Sequence, residues 1–165
     1  MNKIINILNK LFNKKETNLK DETLGLNEAF NLIKEFAITG SIEHQFTLAM
    51  MYDMGQGTLI DKEKSFYWFK KSAELGHAQS QHNLALMYYN GEGTKRNIQL
   101  SFHWYKKSAE QNIVESQNSL GLMYFIGEGT EINKKQSAYW LSKAIKNGDE
   151  SAKIFWKTYN LWEYE

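Results

Sequence analysis

One segment of the chain is written three times without a gap: residues 41–76, 77–112 and 113–148, each 36 residues long. Ten positions hold the same residue in every copy: Gln45, Leu48, Met51, Tyr52, Gly55, Gly57, Thr58, Ser65, Trp68 and Lys71, in first-copy numbers. Self-similarity at a fixed period of roughly 20–50 residues marks an array in which each unit buries its apolar face against the next. Such arrays mostly serve as extended binding surfaces.

The period resolves into two helical segments. In the second copy, Ser80, Leu84, Met87 and Tyr88 fall on one face of a helix predicted over 78–90. Gly91-Glu92-Gly93-Thr94 follows, and a glycine there ends a helix in a left-handed cap without steric cost. A second helix is predicted from about Ile98 to Gln111, closed by Asn112 where the other copies have Gly76 and Gly148. No alternating strand pattern is present, so the chain reads as all-α. Gly55, Gly91 and Gly127 are predicted at positive φ.

The flanks read as half repeats. Residues 26–40 match only the second half of the period, with Ala29, Phe30 and Gly40 on the positions of Ser65, Phe66 and Gly76. Residues 149–165 begin as a first half, with Ala152 on the position of Ser80 and Trp156 on that of Leu84. The predicted organisation is therefore an N-terminal segment 1–25 and an array 26–165, capped at both ends.

Several function classes are disfavoured. Twenty basic and 19 acidic residues leave a net charge of +1, unlike the basic stripe of a nucleic-acid binder. There is no cysteine, hence no disulfide or thiolate metal site, and a reducing, cytoplasmic setting is expected. His44, His77, His82 and His103 form no metal motif, and no nucleophile elbow or paired carboxylate in an apolar setting occurs. We expect no cofactor, no metal and no catalysis. The Gly-x-Gly-Thr segments follow a helix rather than a strand, so they read as turns and not as phosphate loops.

The repeated residues resemble the Sel1-like repeat family, whose pattern is A-x-x-x-L-G-x-x-Y-x-x-G-x-G-V followed by D-x-x-K-A-x-x-W-x-x-K-A-A-x-x-G. Copy three supplies Ser116, Leu120, Gly121, Tyr124, Gly127, Gly129, Asn133, Trp140, Lys143, Ala144 and Gly148. Copy one supplies Leu48, Ala49, Tyr52, Gly55, Gly57, Asp61, Trp68, Lys71, Ala73 and Gly76. His44 stands where the pattern has a small residue, and Thr58, Thr94 and Thr130 stand where it has Val. The resemblance implies a right-handed α/α superhelical solenoid, related to tetratricopeptide arrays, that works as a bacterial adaptor or scaffold for protein–protein contacts. None of the family's cysteine-paired branch carries over.

Trp68, Trp104 and Trp140, like Tyr52, Tyr88 and Tyr124, recur at one position of the period and read as packing between repeats. Positions where the copies disagree are the binding candidates. On the first helix these are Phe46, His82 and Asn118, then Asp53, Tyr89 and Phe125, then Met54, Asn90 and Ile126. Positions seven apart share a helix face, and in a helix-pair solenoid the first helices line the concave surface. We therefore expect a partner protein to bind at Phe46, Asp53, His82, Tyr89, Asn118, Phe125 and Ile126, with a solvated face as the plain alternative. Trp162, beyond the repeat pattern, is a further candidate. A second functional reading is a dedicated inhibitor, such as an immunity protein that neutralises a toxin or effector.

Met1–Lys15 breaks its apolar residues with Asn and Lys too often for a signal peptide or a membrane span. Its stripe of Ile4, Ile7, Leu8, Leu11 and Phe12 leaves three arrangements open: docking on the array, disorder, or contact with a membrane surface.

Overall fold

The computed structural model describes residues 19–164, with side chains from residue 25 onward. The amphipathic stretch Met1–Lys15 lies outside them. Every regular element among the described residues is helical, and two compact units part between His77 and Ala78. The first unit holds α1 (Leu19–Ile38), α2 (Ile42–Met54) and α3 (Lys62–Glu74). The second holds α4 (Ala78–Asn90), α5 (Ile98–Glu110), α6 (Val114–Ile126), α7 (Lys134–Lys146) and α8 (Glu150–Thr158), then a 3₁₀ turn, Leu161–Tyr164. The α1 helix starts at Leu19, ahead of the half repeat that the sequence places at 26–40.

The turn inside each repeat follows from three residues of the motif. Gly55, Gly91 and Gly127 take φ of 71°, 74° and 78°, as expected from their place at a helix end. Their N–H groups, and those of the residues after them, return to the carbonyls of Met51, Met87 and Met123, which satisfies the helix ends. Asp61, Asn97 and Asn133 then start the second helices, their side chains accepting from the N–H of Lys64, Leu100 and Gln136. Their own N–H groups donate to the carbonyls of Tyr52, Tyr88 and Tyr124, tying the turn shut.

The second glycine of the motif has a different duty. A Cβ on Gly57 would stand 2.3 Å from the carbonyl oxygen of Leu26 in α1, and one on Gly129 would stand 2.7 Å from that of Ile98 in α5. This glycine lets the turn press against the backbone of the preceding second helix.

The core is a series of small clusters. In the first unit Ile33 and Ala37 of α1 meet Leu48, Met51 and Tyr52 of α2, with Phe30 and Trp68 against them. In the second unit Ala85, Tyr105 and Met123 gather Trp104, and Ala109, Leu120 and Trp140 gather Tyr124. The three repeated tryptophans thus pack in the core clusters. At the C-terminal end Ala152 and Leu161 close on Ala138, Leu141 and Ala144.

Candidate protein-docking cleft

The columns of the repeat that vary from copy to copy are engaged in repeat-specific pairs. In the first, Phe46 packs on Phe69 (ring centroids 6.0 Å) and His77 (4.7 Å). His82 sets its Nδ1 2.8 Å from Ser116 Oγ and meets the Tyr105 ring edge-on. Asn118 donates to Asp149 and Ser151 at 2.8 Å each. Each of these residues reaches the start of a following first-type helix or the residue just before it.

The second column is similarly matched. Asp53 accepts from Lys62 at 2.7 Å and from Ser65 at 3.4 Å. Phe125 has Lys134 Nζ 3.0 Å from its ring centroid and lies against Phe155 and Tyr159. In the second copy the position of Lys62 and Lys134 holds Ile98, and Arg96 is the cation beside Tyr89. Arg96 donates through Nε to the Tyr89 carbonyl at 3.0 Å and stacks 5.6 Å above its ring. The plain alternative of an unconstrained solvated face does not describe these positions. Most are half-buried.

Two of the expected residues, Tyr89 and Ile126, come together at a cleft between α4 and α6 in the second unit. Its volume is about 280 Å³, and Leu86, Leu122, Met123 and the ring of Tyr105 complete the walls. Leu86 is 41% exposed and Ile126 is 56% exposed, high for large apolar side chains. The polar groups of the rim are matched among themselves. The Tyr89 hydroxyl donates to Glu128 Oε2 at 2.9 Å, with Arg96 3.6 Å from the other carboxylate oxygen. Asn90 donates to Glu92 and Ser119 to the Glu115 carbonyl. The hydrogen bond to Glu128 raises the Tyr89 pKa, and burial pushes Tyr105 up to about 12, so both stay neutral phenols. What remains for a ligand is an aliphatic and aromatic wall.

Leu86 and Leu122 were not among the sequence candidates. They share one position of the period with Met50 and are apolar in all three copies, a pattern that reads as core. The available signal was helical spacing, since Leu86 is one turn from Tyr89, and Leu122 one turn from Ile126. His82 sits behind the cleft against Tyr105, and Asn118 and Phe125 are turned toward α8. Phe46 and Asp53 belong to the first unit. Trp162 is 51% exposed in the terminal 3₁₀ turn, beside the fully buried Leu161. Among the described residues no group of three His, Asp or Glu is placed to hold a metal, and no helix is long and apolar enough to cross a membrane.

The repeat unit itself decides the family. The model of the Sel1 repeat matches residues 45–77, 78–113 and 114–149. The chain belongs to the Sel1 repeat family. Its fold is similar to that of a protective antigen present in uropathogenic Escherichia coli strains that displays an SLR fold, at 36% identity and TM-score 0.76. That match covers 78% of this chain but only 28% of the antigen. A Sel1 repeat protein from Oxalobacter formigenes matches at 30% identity and TM-score 0.71, over 76% of this chain and 95% of the other. Helicobacter pylori cysteine rich protein B, 21% identical, shares the fold at TM-score 0.63 over 79% of this chain and 96% of its own. No curated protein matches. Sel1 repeats typically mediate protein–protein contacts, and this chain carries three of them in the solenoid fold of its neighbours.

Proposed function

We propose that this protein is a non-catalytic interaction module, an adaptor or scaffold, that holds a partner protein through the α4–α6 cleft. One observation carries the reading. Leu86 and Ile126 stay exposed on walls whose polar groups are already paired, so the cleft offers desolvation and nothing else. A partner would insert an aliphatic or aromatic side chain there, and such buried anchors supply most interface energy. An inhibitor of a toxin or effector would use the same wall.

The test is comparative affinity capture from the source cell with the parent chain and the variant Leu86→Glu/Ile126→Glu. Both substitutions fall on exposed side chains, so the helical content and melting temperature should stay near the parent's. Truncating a true anchor typically costs about 2 kcal/mol or more, so proteins retained by the parent should be lost by the variant. Identical captures from both baits, with both folded, would move the binding site away from this cleft.

A further inference from the structure

The outer faces of α5 and α7 carry a charge pattern that packing does not require. Lys135, Lys143 and Lys146 lie with Tyr139 on one side of α7, and Lys106 and Lys107 take the equivalent side of α5. Trp140 of α7 packs with Ala109 of α5, which brings the two helices together in one unit. Glu110 is the one carboxylate in the sequence of either helix. Among the described residues none of these five lysines has a carboxylate partner. Lys107 lies 5.0 Å above the Trp104 ring and Lys143 5.2 Å above that of Trp140.

The same positions of the period are neutralised in the first copy. Glu63 there becomes Gln99 and then Lys135, and Glu74 becomes Glu110 and then Lys146. In the first copy Lys70 has Glu74 3.9 Å away. Since the invariant packing residues do not change across the copies, the shift from acid to lysine is a property of the surface alone.

We infer that the outer face of α5 and α7 docks peripherally on an anionic lipid bilayer. Three features favour that occupant over an acidic peptide or a nucleic acid. The charges are all lysines, flexible point charges without the planar fork that reads a fixed carboxylate or phosphate. The chain's one arginine, Arg96, is turned to Glu128 instead. Mobile headgroups rearrange to meet lysines at any spacing, and polybasic surfaces bind anionic leaflets in this additive way. Tyr139, 50% exposed with Lys143 over its ring, is an amphipathic side chain of the kind that settles at a lipid–water boundary.

The experiment is co-sedimentation of the full chain with phosphatidylcholine vesicles containing about one quarter phosphatidylserine, at low ionic strength. We expect pelleting with these vesicles, none with pure phosphatidylcholine, and release as salt is raised. Lys135→Gln/Lys146→Gln should weaken partitioning about 30-fold, or about fivefold per lysine, with an unchanged circular dichroism spectrum. Lys3→Gln/Lys10→Gln/Lys14→Gln/Lys15→Gln should leave it nearly intact. The inference fails if the parent does not pellet, if the α7 variant pellets like the parent, or if the N-terminal variant alone abolishes binding. Tighter binding of polyglutamate or duplex DNA than of vesicles through the same lysines would also overturn it.

Discussion

Gln45, Gln81 and Gln117 occupy one position of the period and are all buried, yet their side chains are not equally served. Gln81 and Gln117 accept through Oε1 from Gln111 (2.8 Å) and Asn147 (3.0 Å). In the first copy the residue at that position is Leu75, which has nothing to donate, and Gln45 Oε1 is left without a partner. An orphaned buried acceptor typically costs about 1–3 kcal/mol. Leu75 is itself 54% exposed, so replacing it loses little burial. Leu75→Gln should therefore raise unfolding stability by about 1 kcal/mol, read from the midpoint of a urea melt. No change would mean that the amide does not reach Gln45.

His82 shows a second residue-scale effect. Ser108 Oγ donates to the Ala78 carbonyl and Ser116 Oγ donates to Ser108, so Ser116 can only accept from His82. Neutral His82 therefore carries its proton on Nδ1. Burial depresses its pKa below 6.5, partly countered by Glu115. The folded state then binds fewer protons than the unfolded one, so this stability is complete above about pH 6.5 and is lost as pH falls through the folded pKa. Between pH 7 and pH 5 the parent should lose more stability than His82→Asn. Parallel pH–stability curves for the two proteins would remove His82 as the cause.

At the scale of elements, the helices and their turns were legible because each is specified locally. Glycine at a helix end, Asp or Asn at the next start, and apolar residues at helical spacing all lie within one period. Glycines at two positions of the period, the end of the repeat and the turn inside it, answer different local requirements. Gly148, at φ 96°, has open space where a Cβ would go, whereas Gly129, at φ 71°, faces the Ile98 carbonyl and the Phe102 Cβ at 2.9 Å. Alanine at either site bears the left-handed penalty of about 1–2 kcal/mol, but at Gly129 the turn must also separate from α5. Gly129→Ala should cost clearly more than Gly148→Ala in thermal melts. Equal costs would mean that the turn shifts without loss.

The candidate site was less legible, for a reason also seated in the elements. Disagreement among copies at 46/82/118 and 53/89/125 suggested freedom from packing, but Phe46–His77, Asn118–Asp149, Asp53–Lys62 and Phe125–Lys134 show a different cause. In the first column both members of the contact change from copy to copy; in the second, Lys62 and Lys134 are the same residue and only its partner changes, from Asp53 to Phe125. Complementarity of this kind looks like absence of constraint until the partner position is known. Leu86 and Leu122 err the other way, since constancy in type made a cleft wall look like core.

For the whole molecule, the consequence of repetition is that stability is assembled from local terms. Within each unit a helix packs mainly on those adjacent to it in sequence and, through side chains such as Trp140 and Phe125, on the next helix but one, and α7 additionally holds the terminal 3₁₀ turn. Arrays of this kind behave approximately as a sum of repeat and nearest-neighbour contributions. Ser137 offers a test paired with Leu75. Ser65, Ser101 and Ser137 are fully buried at one position, but only Ser65 faces a carboxylate, Asp53, and the hydroxyls of Ser101 and Ser137 have no partner. Ser137→Ala should thus be stabilising by about 1 kcal/mol, because it removes a desolvated hydroxyl without emptying a large volume. Leu75 and Ser137 fall in different units and share no hydrogen-bond partner. The double variant Leu75→Gln/Ser137→Ala should gain the sum of the two single effects to within about 0.5 kcal/mol, measured as a double-mutant cycle in urea. A larger interaction term would show that stability passes between the units beyond nearest-neighbour packing, and the additive description would have to be abandoned for this chain.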